Sequence, residues 1–300
     1  MARRSPFPFR LSVQTVLPSD FETNESFHRT VEGLRDLGLW GIELNIQDLD
    51  DSRTKEASIV EEYLARFDLR LSMFASGLTA KTLGISLSAT DGRQREAAVH
   101  WAKRMVDWTT AGSAAARNDE TPTGIIVGFL KGGVVVNPEE ARRSLISSLT
   151  ELLPYAEEKG VPLILEATNR YESSVANSLS DTAAIIDEVL GSTSPNHRAS
   201  RGDEPTLQIL PDTFHMNIEE ANMTSSLTRY AGYYSSLHLS DNNRLFPAFG
   251  AIDFRTIFTA LAAIEYRGRL AIEGNVTNDL VSDLRASLDY LTPLIEERRG

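Results

Sequence analysis

Four residues with metal-ligating side chains each close a short apolar run. Val161-Pro162-Leu163-Ile164-Leu165 leads into Glu166, Leu207-Gln208-Ile209-Leu210-Pro211 into Asp212, Ser236-Leu237 into His238, and Leu270-Ala271-Ile272 into Glu273. Taken singly, each has an ordinary structural explanation: a carboxylate at a strand end serves as a helix cap or ion-pair partner, and a strand histidine as a hydrogen-bonded core residue. Taken together at one end of a sheet, three carboxylates would repel one another strongly unless a cation or shared protons lay between them. The set therefore predicts one divalent ion held by Glu166, Asp212, His238 and Glu273. The chain has no cysteine, so any metal must use oxygen and imidazole. Three oxygen side chains with one imidazole suit a six-coordinate manganese, magnesium or cobalt better than a closed tetrahedral zinc, and manganese is the first expectation.

Positioning those side chains requires parallel strands. Eight strand-type runs can be placed: Phe9–Leu17, Gly41–Ile46, Leu69–Ala75, Gly124–Leu130, Val161–Ala167, Leu207–Asp212, Tyr234–Ser240 and Arg269–Gly274. Between them lie segments with apolar residues at three-to-four spacing, such as Ser26–Leu37, Gly92–Thr109, Pro138–Glu158 and Ser180–Leu190, which read as helices. Asp91 and Asn137-Pro138 have the chemistry that starts helices, and Gly38 and Gly160 stand where helices would stop. The alternation is that of a parallel α/β fold, closed barrel or open doubly wound sheet. Eight pairs with no leftover domain-sized segment favour a single (β/α)8 TIM barrel over residues 1–300, whose active site would lie at the C-terminal ends of the strands. Trp101 and Trp108, seven apart on one predicted helix, read as core packing.

Composition narrows the partners. With 30 basic and 42 acidic residues, the formal charge of -12 disfavours nucleic acid and anionic membranes. No apolar stretch is long enough to span a bilayer, and Met1-Ala2-Arg3-Arg4 is not followed by a signal-type apolar run, so a cytoplasmic protein is expected. The N-x-S/T matches at Asn24, Asn222 and Asn275 then carry no glycosylation. The polar segment Gly191–Pro205 reads as a mobile loop on the non-catalytic face, with His197 a solvent-exposed bystander.

The stretch Leu165-Glu166-Ala167-Thr168-Asn169-Arg170-Tyr171-Glu172, followed by Asp212-Thr213-Phe214-His215-Met216-Asn217-Ile218-Glu219-Glu220, His238-Leu239-Ser240-Asp241-Asn242-Asn243-Arg244 and Ile272-Glu273-Gly274, resembles the xylose isomerase-like TIM barrels. Within them it is similar to the ketose 3-epimerases, which include tagatose and psicose 3-epimerases. The resemblance covers essentially the whole barrel and is strongest from Glu166 to Glu273. It implies that Glu166 and Glu273 serve as acid and base as well as ligands, and that Glu172, His215 and Arg244 contact a small sugar. It also implies an enediolate: one glutamate removes the C3 proton of a ketose and the other returns one on the opposite face. A homo-oligomer is left open.

Two segments depart from the epimerase pattern. Val127-Gly128-Phe129-Leu130-Lys131-Gly132-Gly133 replaces a Gly-Pro-Leu-Tyr-like segment, and Lys131 there reads either as a contact for a substrate phosphate or carboxylate or as a solvated loop lysine. Pro247-Ala248-Phe249-Gly250-Ala251-Ile252-Asp253 replaces Pro-Gly-x-Gly-His-Ile-Asp. Other chemistries compatible with the ligand set are an aldose-ketose or hydroxypyruvate-type isomerase, then an inosose dehydratase, and, from another class, a silent sugar-binding barrel. A trinuclear endonuclease IV-like site needs more histidines than the five present, of which His28 and His100 fall in predicted helices and His197 in the loop.

Overall fold

The computed structural model describes residues 9–46, 56–113, 122–191 and 206–297. Apolar alternation and capping build its elements much as the sequence suggests. The strands are β1 (Arg10–Val16), β2 (Gly41–Asn45), β3 (Arg70–Ala75), β4 (Gly124–Val127), β5 (Leu163–Glu166), β6 (Leu207–Leu210), β7 (Ser236–Leu239) and β8 (Arg269–Ile272). The helices are α1 (Glu25–Asp36), α2 (Glu56–Ala65), α3 (Gly77–Leu83), α4 (Gly92–Ser113), α5 (Pro138–Lys159), α6 (Leu179–Val189), α7 (Thr213–Glu219), α8 (Met223–Arg229), α9 (Phe254–Ala263) and α10 (Leu280–Glu296). Asp91 Oδ1 accepts from the Arg93 and Gln94 amides at the start of α4, and Asn137 Oδ1 accepts from Glu140 N at the start of α5. At the end of α5, Gly160 turns the chain at φ +67, a conformation costly for a residue with a Cβ.

All strand pairs are parallel, in the order β6-β5-β4-β3-β2-β1-β8-β7. The two ends meet at an isolated parallel bridge between Asp212 and His238, where His238 N donates to Pro211 O at 2.9 Å. Side chains stitch the rest of this seam. Ser235 Oγ donates to Gln208 Oε1 at 2.7 Å, and Thr213 Oγ1 both donates to Ser240 O (2.6 Å) and accepts from Ser240 N (2.9 Å). The result is the expected (β/α)8 barrel, closed between two of the four residues that the sequence singles out.

Because strand side chains alternate between faces, the inside and outside of the barrel bury different sets. A large apolar cluster fills the layer between strands and helices, including Trp101 and Trp108; the Trp108 ring packs 4.1 Å from that of Phe74. A second, small cluster of Met73, Ala75, Ile126, Ile164 and Leu210 comes from β3 to β6. The arc formed by β7, β8, β1 and β2 instead buries Ser12, Glu43, Ser236, His238 and Arg269. Most strands are shorter than their apolar runs: β4 ends at Val127, and Phe129–Lys131 forms a 3-10 turn. The expected loop and His197 fall almost wholly outside the described residues, as do Arg3 and Arg4.

Candidate metal centre at the barrel mouth

Each of the four candidate ligands is placed by its strand. Glu166 is the last residue of β5, Asp212 and Glu273 follow β6 and β8, and His238 lies within β7. Each offers one ligand atom, and those atoms all lie within 4.8 Å of one another. Asp212 shows that capping and site roles are compatible. Its Oδ1 accepts from Phe214 N (2.8 Å) as the N-cap of α7, while Oδ2 faces the cluster and accepts from Arg244. The Glu273 backbone is held at both ends, its amide donating to Leu239 O (3.2 Å) and its carbonyl accepting from Ser240 Oγ (2.6 Å).

The residues expected to contact a sugar, Glu172, His215 and Arg244, gather on the same cluster. His215 Nε2 lies 3.5 Å from Glu166 Oε1 and 3.8 Å from Asp212 Oδ2. Its Nδ1 faces the Asn169 backbone N–H at 3.2 Å, which sets Nδ1 as an acceptor and leaves the ring proton on Nε2, toward the carboxylates. Glu172 Oε1 accepts from Asn169 Nδ2 (3.0 Å) and stands 4.0 Å from His215 Nδ1. Arg244, at φ +61, donates to Asp212 and to Glu273 Oε1 (2.7 Å) while its guanidinium stacks 5.0 Å from the centre of the Phe214 ring.

Charge governs the cluster. Burial alone would lift the three carboxyls, but the donors around them outweigh it. A hydrogen bond from His215 holds Glu166 below its ordinary value, and the Arg244 guanidinium does so first for Asp212 and Glu273. Burial likewise opposes charge on His238, yet Glu43 and Glu273 keep it well above the ordinary histidine range. Ionised carboxylates are the form that ligates a cation. The local shape also fits one: Gly128 leaves the space into which the Glu166 carboxylate extends, since a Cβ there would collide with Glu166 Oε2. The donor set, three carboxylates and an imidazole, suits a hard divalent ion.

Two buried charged side chains adjoin the cluster from β2 and from the turn after β4. Lys131 is neither a substrate-anion contact nor a solvated lysine. It is fully buried, and its Nζ donates to the carbonyl of Glu166 and to that of Ala176 (3.0 Å), tying the end of β5 to the loop beyond it. Burial drives its pKa down to about 7 against the pull of Glu166, Asp181 and Glu172. Glu43 on β2, which the strand-end pattern does not single out, is fully buried, and its Oε2 sits 2.9 Å from His238 Nε2. The signal was present as a lone carboxylate inside the apolar run Gly41–Ile46.

The profile of the Xylose isomerase-like TIM barrel family matches residues 31–294. The chain belongs to that family. Among curated relatives, it is 31% identical over 134 residues to an L-ribulose 3-epimerase of Methylomonas sp., a match covering 45% of this chain and 42% of the relative. It is 32% identical over 151 residues to a 3-dehydro-D-guloside 4-epimerase of Escherichia coli, covering 50% and 53%. The matched segments thus span about half the length of these relatives. A solved L-ribulose 3-epimerase superposes with a TM-score of 0.78 at 22% identity, covering 97% of this chain and 96% of the other, a likeness of fold.

Proposed function

We propose that this chain is a divalent-metal-dependent sugar epimerase, one barrel domain that inverts C3 of a ketose, with manganese as the first choice of ion. The observation that carries the reading is the convergence of Glu166, Asp212, His238 and Glu273 to within 4.8 Å at the mouth of a barrel whose curated relatives are sugar epimerases. When bound, the ion would draw charge from the ketose oxygens and so acidify the C3 hydrogen.

The chain's own residues would do the rest. One of Glu166 and Glu273 enters as a carboxylate and takes the C3 proton. The C–H electron pair moves into a C2–C3 double bond, and the carbonyl electrons move onto the C2 oxygen, giving an enediolate. The other glutamate, a carboxylate at rest, takes up a proton from solvent and delivers it to C3 from the opposite face while the electrons return. After one turnover the first glutamate holds the proton taken from C3, and its loss to solvent resets the site. His215, with its Nε2 proton directed at the cluster, and Arg244 would orient the sugar oxygens and stabilise developing charge on them, and Glu172 would accept from a hydroxyl.

Incubation of the manganese-loaded protein with a panel of ketoses and ketose phosphates in D2O tests the reading. Deuterium at C3 with inversion is the expected result. Label at C1 of the ketose, or appearing at C2 of an aldose product, would instead favour an isomerase. The 4-epimerase relative gives a second reading, in which a 3-keto sugar exchanges and inverts at C4, so such sugars belong in the panel. No exchange with any sugar would favour a silent binding barrel.

A further inference from the structure

His238 is gripped on both ring nitrogens. Its Nδ1 lies 2.6 Å from Glu273 Oε2, inside the cluster of ligand atoms, and its Nε2 lies 2.9 Å from Glu43 Oε2, deeper in the barrel. An imidazole that ligates through Nδ1 must present a lone pair there, so the one remaining ring proton has to sit on Nε2. Glu43 Oε2 is the acceptor waiting for it.

Glu43 is unusual in its own right. It is fully buried, on the inner face of β2, and its second oxygen, Oε1, has no hydrogen-bond partner among the described residues. An ionised carboxylate is costly to bury, and one left half-satisfied more so. None of the capping or surface ion-pair roles that account for other carboxylates here applies. Its one hydrogen-bonding partner among the described residues is the histidine of the cluster.

We propose that Glu43 is a positioning residue for the metal centre: it holds the Nε2–H tautomer and the ring orientation of His238, so that Nδ1 faces the ion. Carboxylate-to-histidine contacts of this kind typically change metal affinity by 10–100-fold when removed. The proposal rests on the metal reading given above for Glu166, Asp212, His238 and Glu273, and on no assumption about which sugar is turned over.

The test compares wild type with Glu43→Leu and Glu43→Gln. Manganese affinity is read from the EPR signal of the free ion during titration, and the His238 tautomer from two-bond nitrogen–proton NMR of histidine-labelled, magnesium-loaded protein, tractable with five histidines in the chain. Glu43→Leu should stay folded by circular dichroism, lose about 10–100-fold in manganese affinity and lose the fixed Nε2–H state. Glu43→Gln keeps an oxygen that can accept the Nε2 proton, so it should retain the tautomer and lose less affinity than Glu43→Leu. If folded Glu43→Leu binds manganese like wild type, or keeps the Nε2–H tautomer, the positioning role is wrong. Should Glu43→Leu fail to fold, Glu43→Gln decides: a changed tautomer in that variant overturns the proposal and an unchanged one with moderately weaker binding supports it. Wild type that binds no manganese would overturn the metal reading and this inference together, whereas wild-type binding with an unaffected Glu43→Leu overturns the inference alone.

Discussion

The Arg244 guanidinium donates to Glu273 Oε1 at 2.7 Å, so a cationic side chain engages a carboxylate of the proposed ligand set. The same guanidinium also reaches Asp212. Arg244 and a divalent ion therefore draw on the same two carboxylates. Arg244→Ala removes the competitor but also a group that would orient sugar oxygens. Manganese affinity should stay equal or tighten, with about one ion per chain, while kcat/KM falls. Loss of the ion along with the arginine would mean that Arg244 builds the site instead of serving substrate.

Lys131 gives a stability prediction. Lys131→Met fills a similar volume but leaves the carbonyls of Glu166 and Ala176 without this donor. Ala176 O still accepts from Thr168 N (3.2 Å), so the loss falls mainly on the Glu166 carbonyl; a buried acceptor left unsatisfied costs about 1–3 kcal/mol, and relief of the buried ammonium offsets part of that. Urea unfolding should show a loss of about that size, with weaker manganese binding because the end of β5 shifts. A variant as stable as wild type would assign no structural weight to these two bonds.

How far the sequence revealed this site depended on where the deciding contact lies. The four clustered residues sit at or near strand ends, where an apolar run breaks, and that break is visible in one dimension. Glu43 sits within a run, and what distinguishes it is its facing of His238, 195 residues away, across a barrel whose closure the spacing alone could not establish. Lys131 reads as a loop residue because glycines follow it; its burial follows from the carbonyls of Glu166 and Ala176 that its Nζ meets. The short helices α3, α7 and α8 are each seven residues, too brief for a helical period to stand out.

Gly128→Ala probes the shape of the centre without replacing a ligand. The added methyl would press on the Glu166 carboxylate, the movable end of a side chain, so the barrel should fold normally. Manganese affinity should drop several-fold and turnover with it. Unchanged affinity would show that Glu166 has room to retreat and still ligate.

Glu61, buried on α2, offers a pH-dependent test remote from the centre. Burial pushes its carboxyl up to about 7, with Arg70 opposing, from an ordinary 4.5. The folded state then retains a proton that the unfolded chain has released between those values, so this residue's contribution to stability falls as pH rises from about 4.5 to about 7 and levels off above. Glu61→Gln is neutral throughout. Its Tm should exceed that of wild type by a few degrees at pH 8 and by little or nothing at pH 4.5. Equal shifts at both values would indicate a packing effect unrelated to ionisation.

The two glutamates separate ligation from proton transfer. Glu166→Gln and Glu273→Gln keep an oxygen donor and nearly the same shape but cannot accept a proton. If each acts on one face of the sugar, both variants should lose turnover by about a hundredfold or more. Manganese binding should weaken as a negative charge is lost, yet be recoverable at high metal concentration, and assays at saturating manganese isolate the chemical step. Full recovery of Glu166→Gln there would leave Glu166 a ligand only, and proton exchange by two glutamates would have to be abandoned. With an epimerisable ketose in D2O, a variant that still exchanges at C3 without inverting it retains one working face. The stereochemistry of its labelled product then identifies which glutamate serves which side of the sugar.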